Sequence, residues 1–337
     1  MKFPTRLLSN ADIEQLLTYD EIVATTEKGW AEYASGRILN PTKESLDLGH
    51  KGSWPNYSGF MNAMPAYVGW LDSAGLKWIG SFWDNPKSKL PSLWAIILLI
   101  DPRTGEFKAV MEGSLITALR TAAQSIIGIK YLAKKNFQGI GIFGGGLQAR
   151  YHALMISAML ADKKIQVYDA DPLALRAFRD EMLRSKVDIT MCQKPRECSE
   201  ADVVITLTSS KTPFFSVDWL RSGQLVLALG VYQEIYPDTI RKASKLYVDH
   251  REQTRKMGAL SIIPDTELTK MNVKTIGEVI TGKARGREDD DEVLLFEPIG
   301  TGLLDVAVAT LAYRKAIDKG KGVDFEFVRT PDGSAHS

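Results

Sequence analysis

Apolar and polar positions along the chain fall into successive textures. Between residues 9 and 36, Ile13, Leu16, Leu17, Ile22, Val23 and Trp30 recur near helical spacing, Asn10 is placed to cap, Asp12 and Glu14 suit a first turn, and Gly36 ends the run. From 38 to 107 the pattern shortens to apolar stretches at 64–70, 76–83 and 93–100, broken by Pro, Gly and Asn, which predicts a sheet. The turn signal Asp101-Pro-Arg-Thr-Gly105 before 107–111 predicts a hairpin with 93–100. Helical spacing returns over 114–135 through Leu115, Leu119, Ala122, Ile126, Ile129 and Leu132, with Asn136 closing the run.

Past this point the rhythm is strand, helix, strand. Short apolar runs at 139–143, 165–169, 188–192, 203–207, 225–229 and 245–249 alternate with helical segments, the clearest at 147–160 and 172–183. Short, nearly all-apolar strands between helices imply a parallel sheet covered on both faces, hence a doubly wound α/β arrangement. Residues 282–292, rich in Gly, Arg and Asp, read as a solvated loop, and 303–318 as a last helix burying Leu303, Val306, Val308, Leu311 and Ala312.

Length and charge narrow the function. The 337 residues suffice for two domains at roughly 150 residues each. A net charge of +1 removes any global attraction to nucleic acid or anionic membrane. Cys192 and Cys198 have no histidine beside them and the four histidines make no ligand spacing, so no metal is expected. The longest apolar run, 93–100, is about half the length of a membrane span. Pro4, Asp12 and Glu14 lie where a signal segment would be apolar, so a reducing cytoplasm is the expected compartment.

Two features carry chemistry. Ile140-Gly-Ile-Phe143 runs into Gly144-Gly-Gly146-Leu-Gln-Ala149, a GxGxxA pattern between a strand and a helix. There Gly144 allows the tight turn, Gly146 lets backbone approach a pyrophosphate, and Ala149 permits close helix packing. Asp169, at the end of the next strand, can accept hydrogen bonds from a ribose and repel a 2′-phosphate. Ala170, Asp171 and Pro172 follow it without a cation, which favours NAD over NADP; Asp171 reads as a helix cap. Hydroxyls in Thr206-Leu-Thr-Ser-Ser210, at the end of the 203–207 strand, either line the cofactor or serve the turn.

The second feature is Arg120, a cation in the apolar segment Thr117-Ala-Leu-Arg-Thr-Ala-Ala123. Burying it unpaired is costly, so either an internal carboxylate neutralises it or it awaits an anionic ligand, for which a planar guanidinium is suited. Lys77, in Gly75-Leu-Lys-Trp-Ile79, and Lys43, after Pro41, also interrupt apolar surroundings; singly, each reads as a surface lysine.

Together, Lys77, Arg120-Thr-Ala-Ala123 and Gly144-Gly-Gly-Leu-Gln-Ala149-Arg-Tyr-His152 resemble the ornithine cyclodeaminase and mu-crystallin family, as do Met64-Pro65, Thr104-Gly105, 206–210, Gly277-Glu278 and the segment from Gly300 to Asp305. The resemblance covers nearly the whole chain. It implies a Rossmann NAD(P)-binding domain (126–302) inserted into a discontinuous α+β substrate-binding and dimerisation domain (1–125 plus 303–337), and a homodimer. It implies cofactor contacts from Ser92, Arg120, Thr121, Gly144, Gly146, Leu147, Gln148, Asp169, Thr206, Thr208, Ser209, Gly230 and Val231. It also implies a substrate carboxylate held by Lys77 and Arg120, with Lys43 as a third cation.

One departure bears on the reaction. Where cyclodeaminases have Gly-x-Asp, this chain has Gly230-Val-Tyr232, with Glu234 offset by two residues and Glu297-Pro298 replacing another family segment. A tyrosine, with a pKa of about 10, is no substitute base near neutrality. Members lacking that acid resemble ketimine reductases and amino-acid dehydrogenases, in which hydride passes between NAD(P)H and a C=N carbon, the proton arriving with the protonated substrate or from Lys77, Tyr232 or water. The other readings are an ammonia-releasing ornithine or lysine cyclodeaminase with recycled NAD, and a non-catalytic small-ligand binding protein. Trp54, Tyr57, Phe82, Trp83 and Trp94 either line a bulky pocket or fill the core; core packing is the expectation.

Overall fold

The computed structural model describes residues 4–49, 52 and 54–328. The chain divides into two compact units, Met1–Thr25 with Ser35–Arg120 and Thr301–Ser337, and Thr26–Ala34 with Thr121–Gly300. The divisions expected at 125/126 and 302/303 therefore move to 120/121 and 300/301, and 26–34 joins the second unit. The physical reason is that two of the divisions fall inside the uninterrupted helices Tyr19–Ala34 and Ser114–Leu132, where hydrophobic periodicity has no break.

The first unit is built on a sheet of eight strands among the described residues. Its order is Val323–Phe325, Thr5–Leu8, Phe107–Glu112, Leu93–Ile100, Ser73–Phe82, Gly59–Val68 and Ile38–Leu39, with Glu44–Asp47 also paired to Gly59–Val68. All pairs are antiparallel except Thr5–Leu8 with Phe107–Glu112, and the expected hairpin is present. Gly302–Asp318 packs across the Gly59–Val68, Ser73–Phe82 and Leu93–Ile100 strands. Because strand side chains alternate between faces, Met64, Lys77 and Ile97, which pair in register, share the buried face.

That helix is pinned at its start. A Cβ on Gly302 would lie 2.6 Å from the Met64 carbonyl oxygen and 2.8 Å from that of Pro65. Thr301 makes no side-chain cap, and Asn40 Oδ1 instead accepts from the Leu303 amide at 3.0 Å.

The single helix expected over 9–36 is two, Asn10–Leu16 and Tyr19–Ala34, and Ser9 rather than Asn10 caps the first. Ser9 and Asp12 form a capping box, and Thr18 with Glu21 repeats the device (Thr18 amide to Glu21 at 3.1 Å), restarting the helix at Tyr19.

The second unit holds an all-parallel sheet, also of eight described strands, in the order Thr190–Met191, Lys164–Tyr168, Gly139–Phe143, Val203–Thr206, Leu225–Ala228, Leu294–Glu297, Lys245–Val248 and Lys274–Thr275. Chain order reverses direction at Gly139–Phe143 and Val203–Thr206, the switch point beyond whose carboxyl ends open α/β sheets bind ligands. The doubly wound parallel sheet is thus present, with two differences. The strand expected over 188–192 shortens to Thr190–Met191, and the fully buried strand Leu294–Glu297, not anticipated, lies inside the sheet. Periodicity alone does not separate such a four-residue run from the loop before it.

Candidate active site

In the first unit the sheet and two helical segments bring charged side chains into a buried cluster. Lys77 projects from mid-strand, Arg120 and Thr117 from the Ser114–Leu132 helix, and Asp305 from the first turn of Gly302–Asp318. Lys77 and Asp305 have no exposed surface; Arg120 and Lys43 are buried as well. Lys77 Nζ lies 2.7 Å from one Asp305 oxygen, and Arg120 Nε donates to the other at 2.9 Å. Lys77 also donates to Thr117 Oγ1 at 3.3 Å, whose hydroxyl donates to the Gly113 carbonyl at 2.7 Å.

These positions correct the expectation that Lys77 and Lys43 are surface lysines. The strand alternation that hides Lys77 is a tertiary fact, because only packing decides which face is inside. An internal carboxylate does meet Arg120, and the same carboxylate meets Lys77. Desolvation pushes the Lys77 ammonium down from 10.5 to about 7 against the pull of Asp305, and the neighbouring Arg120 and Lys43 push the same way. Such a cluster favours a further anion, and its lysine sits where it can gain or lose a proton near neutrality.

Asp305 was legible only as the end of a motif. The signal that singles out Arg120, a charge inside an apolar helical run, also marks it: Leu303-Leu-Asp305-Val-Ala-Val308.

The second unit presents the glycine loop at the switch point. Gly144 adopts φ +106°, where a Cβ would come within 3.0 Å of the Leu207 carbonyl oxygen, so the turn needs glycine. Gly146 is the N-cap of Leu147–Met159, makes no side-chain cap, and a Cβ there would meet nothing within 4 Å. The space beside Gly146 at this helix start is therefore open, which lets a pyrophosphate approach the backbone. Asp169 Oδ2 accepts from the Gly145 amide at 2.7 Å and Oδ1 from the Asp171 amide at 2.8 Å, so this half-buried carboxylate braces the loop. Asp171 caps Pro172–Arg184 through the Leu173 amide at 2.9 Å.

Glu234, offset by two residues from the expected acid, is fully engaged within its own unit. Its buried carboxylate accepts from Thr206 Oγ1 at 2.6 Å, the Thr208 amide at 2.7 Å, Thr208 Oγ1 at 2.5 Å and the Gly230 amide at 3.0 Å. It does not stand in for the missing acid of the 230–232 segment; it ties together the loops that follow two adjacent strands. The Thr206 and Thr208 hydroxyls accordingly spend their protons on turn chemistry. Burial pushes the Glu234 carboxyl up, against the four donors that favour its ionised form.

Deeper in this unit, His152 Nδ1 lies 2.8 Å from the Gln148 carbonyl oxygen and Nε2 2.9 Å from Ser125 Oγ. Burial pushes this imidazole down to about 4, so it is neutral and fastens the glycine-loop helix to Ser125. Gln148, Thr121 and Tyr232 are half-buried; Leu147, Ser209 and Val231 are exposed in the second unit, and Ser92 is exposed in the first. Trp54, Tyr57 and Trp94 are 90%, 66% and 54% exposed, which corrects the expectation of core packing. No group of metal-ligating side chains is present among the described residues.

Residues 4–320 match the family model described as the ornithine cyclodeaminase/mu-crystallin family. The chain belongs to this family. Among its members, alanine dehydrogenase of Archaeoglobus fulgidus is 32% identical over 331 residues, 96% of this chain and 99% of that protein. The Thermococcus litoralis Δ(1)-pyrroline-2-carboxylate reductase, solved in complex with NADH and L-proline, superposes with a TM-score of 0.87 at 31% identity, over 95% of this chain and 99% of that one. An archaeal alanine dehydrogenase dimer with bound NAD gives 0.88 at 31% identity, over 96% and 100%.

Proposed function

We propose that the protein is an NAD(P)H-dependent oxidoreductase that reduces the C=N bond of a small imino or cyclic ketimine acid, or oxidises the corresponding amino acid in reverse. The observation that carries this reading is the buried cluster in which Lys77 and Arg120 meet the two oxygens of Asp305, with Lys43 buried and acting on Lys77. Lysine and guanidinium side chains gathered away from water suit a substrate carboxylate, and the relatives named above act on, or are solved with, small amino and imino acids.

The first unit then binds substrate and the second the dinucleotide, along the glycine loop with Asp169 at the ribose, which favours NAD over NADP. When bound, the dinucleotide supplies hydride to the C=N carbon. Arg120 and Lys77, with Lys43 as a third cation, hold and orient the substrate carboxylate, which is entropic work that needs no chemistry of its own. Lys77 delivers the proton to nitrogen: its pKa of about 7 lets it be charged before the step and neutral after it. Tyr232 is the other candidate donor, and a Tyr232→Phe variant with unchanged kcat removes it.

We further propose a homodimer that works in the cytoplasm, where NADH is supplied. The sheet face opposite the Gly302–Asp318 helix exposes Trp78, Trp94 and Ile96, an apolar surface suited to a second copy. No helix among the described residues is long and apolar enough to cross a membrane.

The test is cofactor oxidation with pyrroline-2-carboxylate, piperideine-2-carboxylate, and pyruvate with amines, each with NADH and with NADPH. Imine-dependent consumption of NADH is expected. Ammonia release from ornithine or lysine without net cofactor change would overturn the reductase reading in favour of a cyclodeaminase.

A further inference from the structure

We propose that Asp305 is a positioning residue: by holding Lys77 with one carboxylate oxygen and Arg120 with the other, it makes protonation of Lys77 follow the arrival of the substrate carboxylate. The inference rests on the reading of Lys77 and Arg120 as the carboxylate-binding pair.

The geometry places Asp305 as the hub. The two ion pairs, at 2.7 and 2.9 Å, use both of its oxygens, and its helix is held by the Asn40 cap and by the close approach of Gly302 to the Met64 and Pro65 carbonyls. The charged groups that act on Lys77 are Asp305 from this helix, Arg120 from Ser114–Leu132 and Lys43 from the 41–43 segment; Thr117 adds a hydroxyl. From the strands on either side, its register partners Met64 and Ile97 are apolar.

Full burial, opposed by the Asp305 carboxylate at 2.7 Å, leaves Lys77 divided between its two forms near pH 7. A second carboxylate, the substrate's, favours the charged form, so binding draws in a proton and leaves Lys77 loaded beside the nitrogen that needs it. Without Asp305, the substrate would only restore the balance that Asp305 already provides at rest, and the lysine would stay neutral at the working pH.

The experiment is calorimetric binding of pyrrole-2-carboxylate, a planar cyclic carboxylate, in buffers of different ionisation enthalpy across pH. This counts protons taken up without turnover. Wild-type protein should take up part of a proton between about pH 7 and 8. In Asp305→Asn the maximum should move down by about one pH unit or more. Asp305→Glu should return the uptake profile, because the charge is back, while kcat for imine reduction stays several-fold low because the oxygens are displaced.

An Asp305→Asn protein that binds with the wild-type uptake profile overturns the proposal. If that variant does not fold, Asp305→Glu decides: wild-type kcat and KM there would show that position does not matter. Failure of the wild-type protein to bind the probe, or unaltered binding and uptake in Lys77→Met, would instead refute the underlying reading of the site.

Discussion

The reductive reaction should lose activity as pH rises through neutrality, and Lys77 is the reason. With the ammonium brought down to about 7, nine-tenths is charged at about pH 6 and roughly one-tenth at about pH 8. If Lys77 is the proton donor, kcat/KM for imine reduction, which reports the free enzyme, falls about tenfold over that interval and about tenfold for each further unit. Oxidation of the amino acid needs neutral Lys77 and follows the opposite course. The limb in kcat should lie at higher pH, because the bound carboxylate favours the charged lysine. Lys77→Met removes donor and limb together, and a positioned general acid is worth about 10²–10⁴ in rate. The assay is initial NADH consumption across pH at saturating and limiting imine. Wild-type kcat/KM that stays flat from about pH 6 to 9, or a Lys77→Met variant with wild-type kcat and KM, would refute the reasoning, which takes the proton from a lysine of perturbed pKa.

Three further outcomes follow from the geometry. Glu234→Gln turns an amide toward groups that are all donors; it should cost about 1–3 kcal/mol of stability and raise KM for NADH more than KM for imine, as thermal unfolding and kinetics would show. Gly302→Ala forces a methyl to within 2.6 Å of the Met64 carbonyl oxygen, and chemical denaturation should register a loss of about 1–3 kcal/mol. Burial pushes Glu297 up from 4.5 to about 8, so it is protonated in the fold where it would be ionised in the unfolded chain. Its contribution to stability is full below about pH 4.5 and is lost as pH rises to about 8. Wild-type Tm should therefore decline over that range relative to Glu297→Gln, and parallel Tm curves would contradict the assignment.

Much of the second unit was readable because its signals are local. The glycine loop, the Asp171 cap and the parallel alternation each lie within one turn or one strand of sequence, where backbone geometry and residue type are coupled directly. The strand Leu294–Glu297 escaped because three apolar residues and a glutamate after an acidic loop carry no period, and its place between Leu225–Ala228 and Lys245–Val248 is a matter of pairing. Trp54 and Trp94 show the same limit from the other side: an aromatic residue records the wish for burial but not the surface that satisfies it.

The chemistry divides along that line. Sequence by itself determined that a nucleotide fits a glycine turn between strand and helix, and that Arg120 is a cation needing either an internal partner or an anionic ligand, because turn geometry and the cost of an unpaired buried charge are properties of a few neighbouring residues. Only the tertiary structure decided that Lys77 and Lys43 are buried, that Asp305, 185 positions beyond Arg120, meets both cations, and that Glu234 faces inward. Electrostatic interaction depends on distance through space and on exclusion of water, and neither is written in the spacing along the chain.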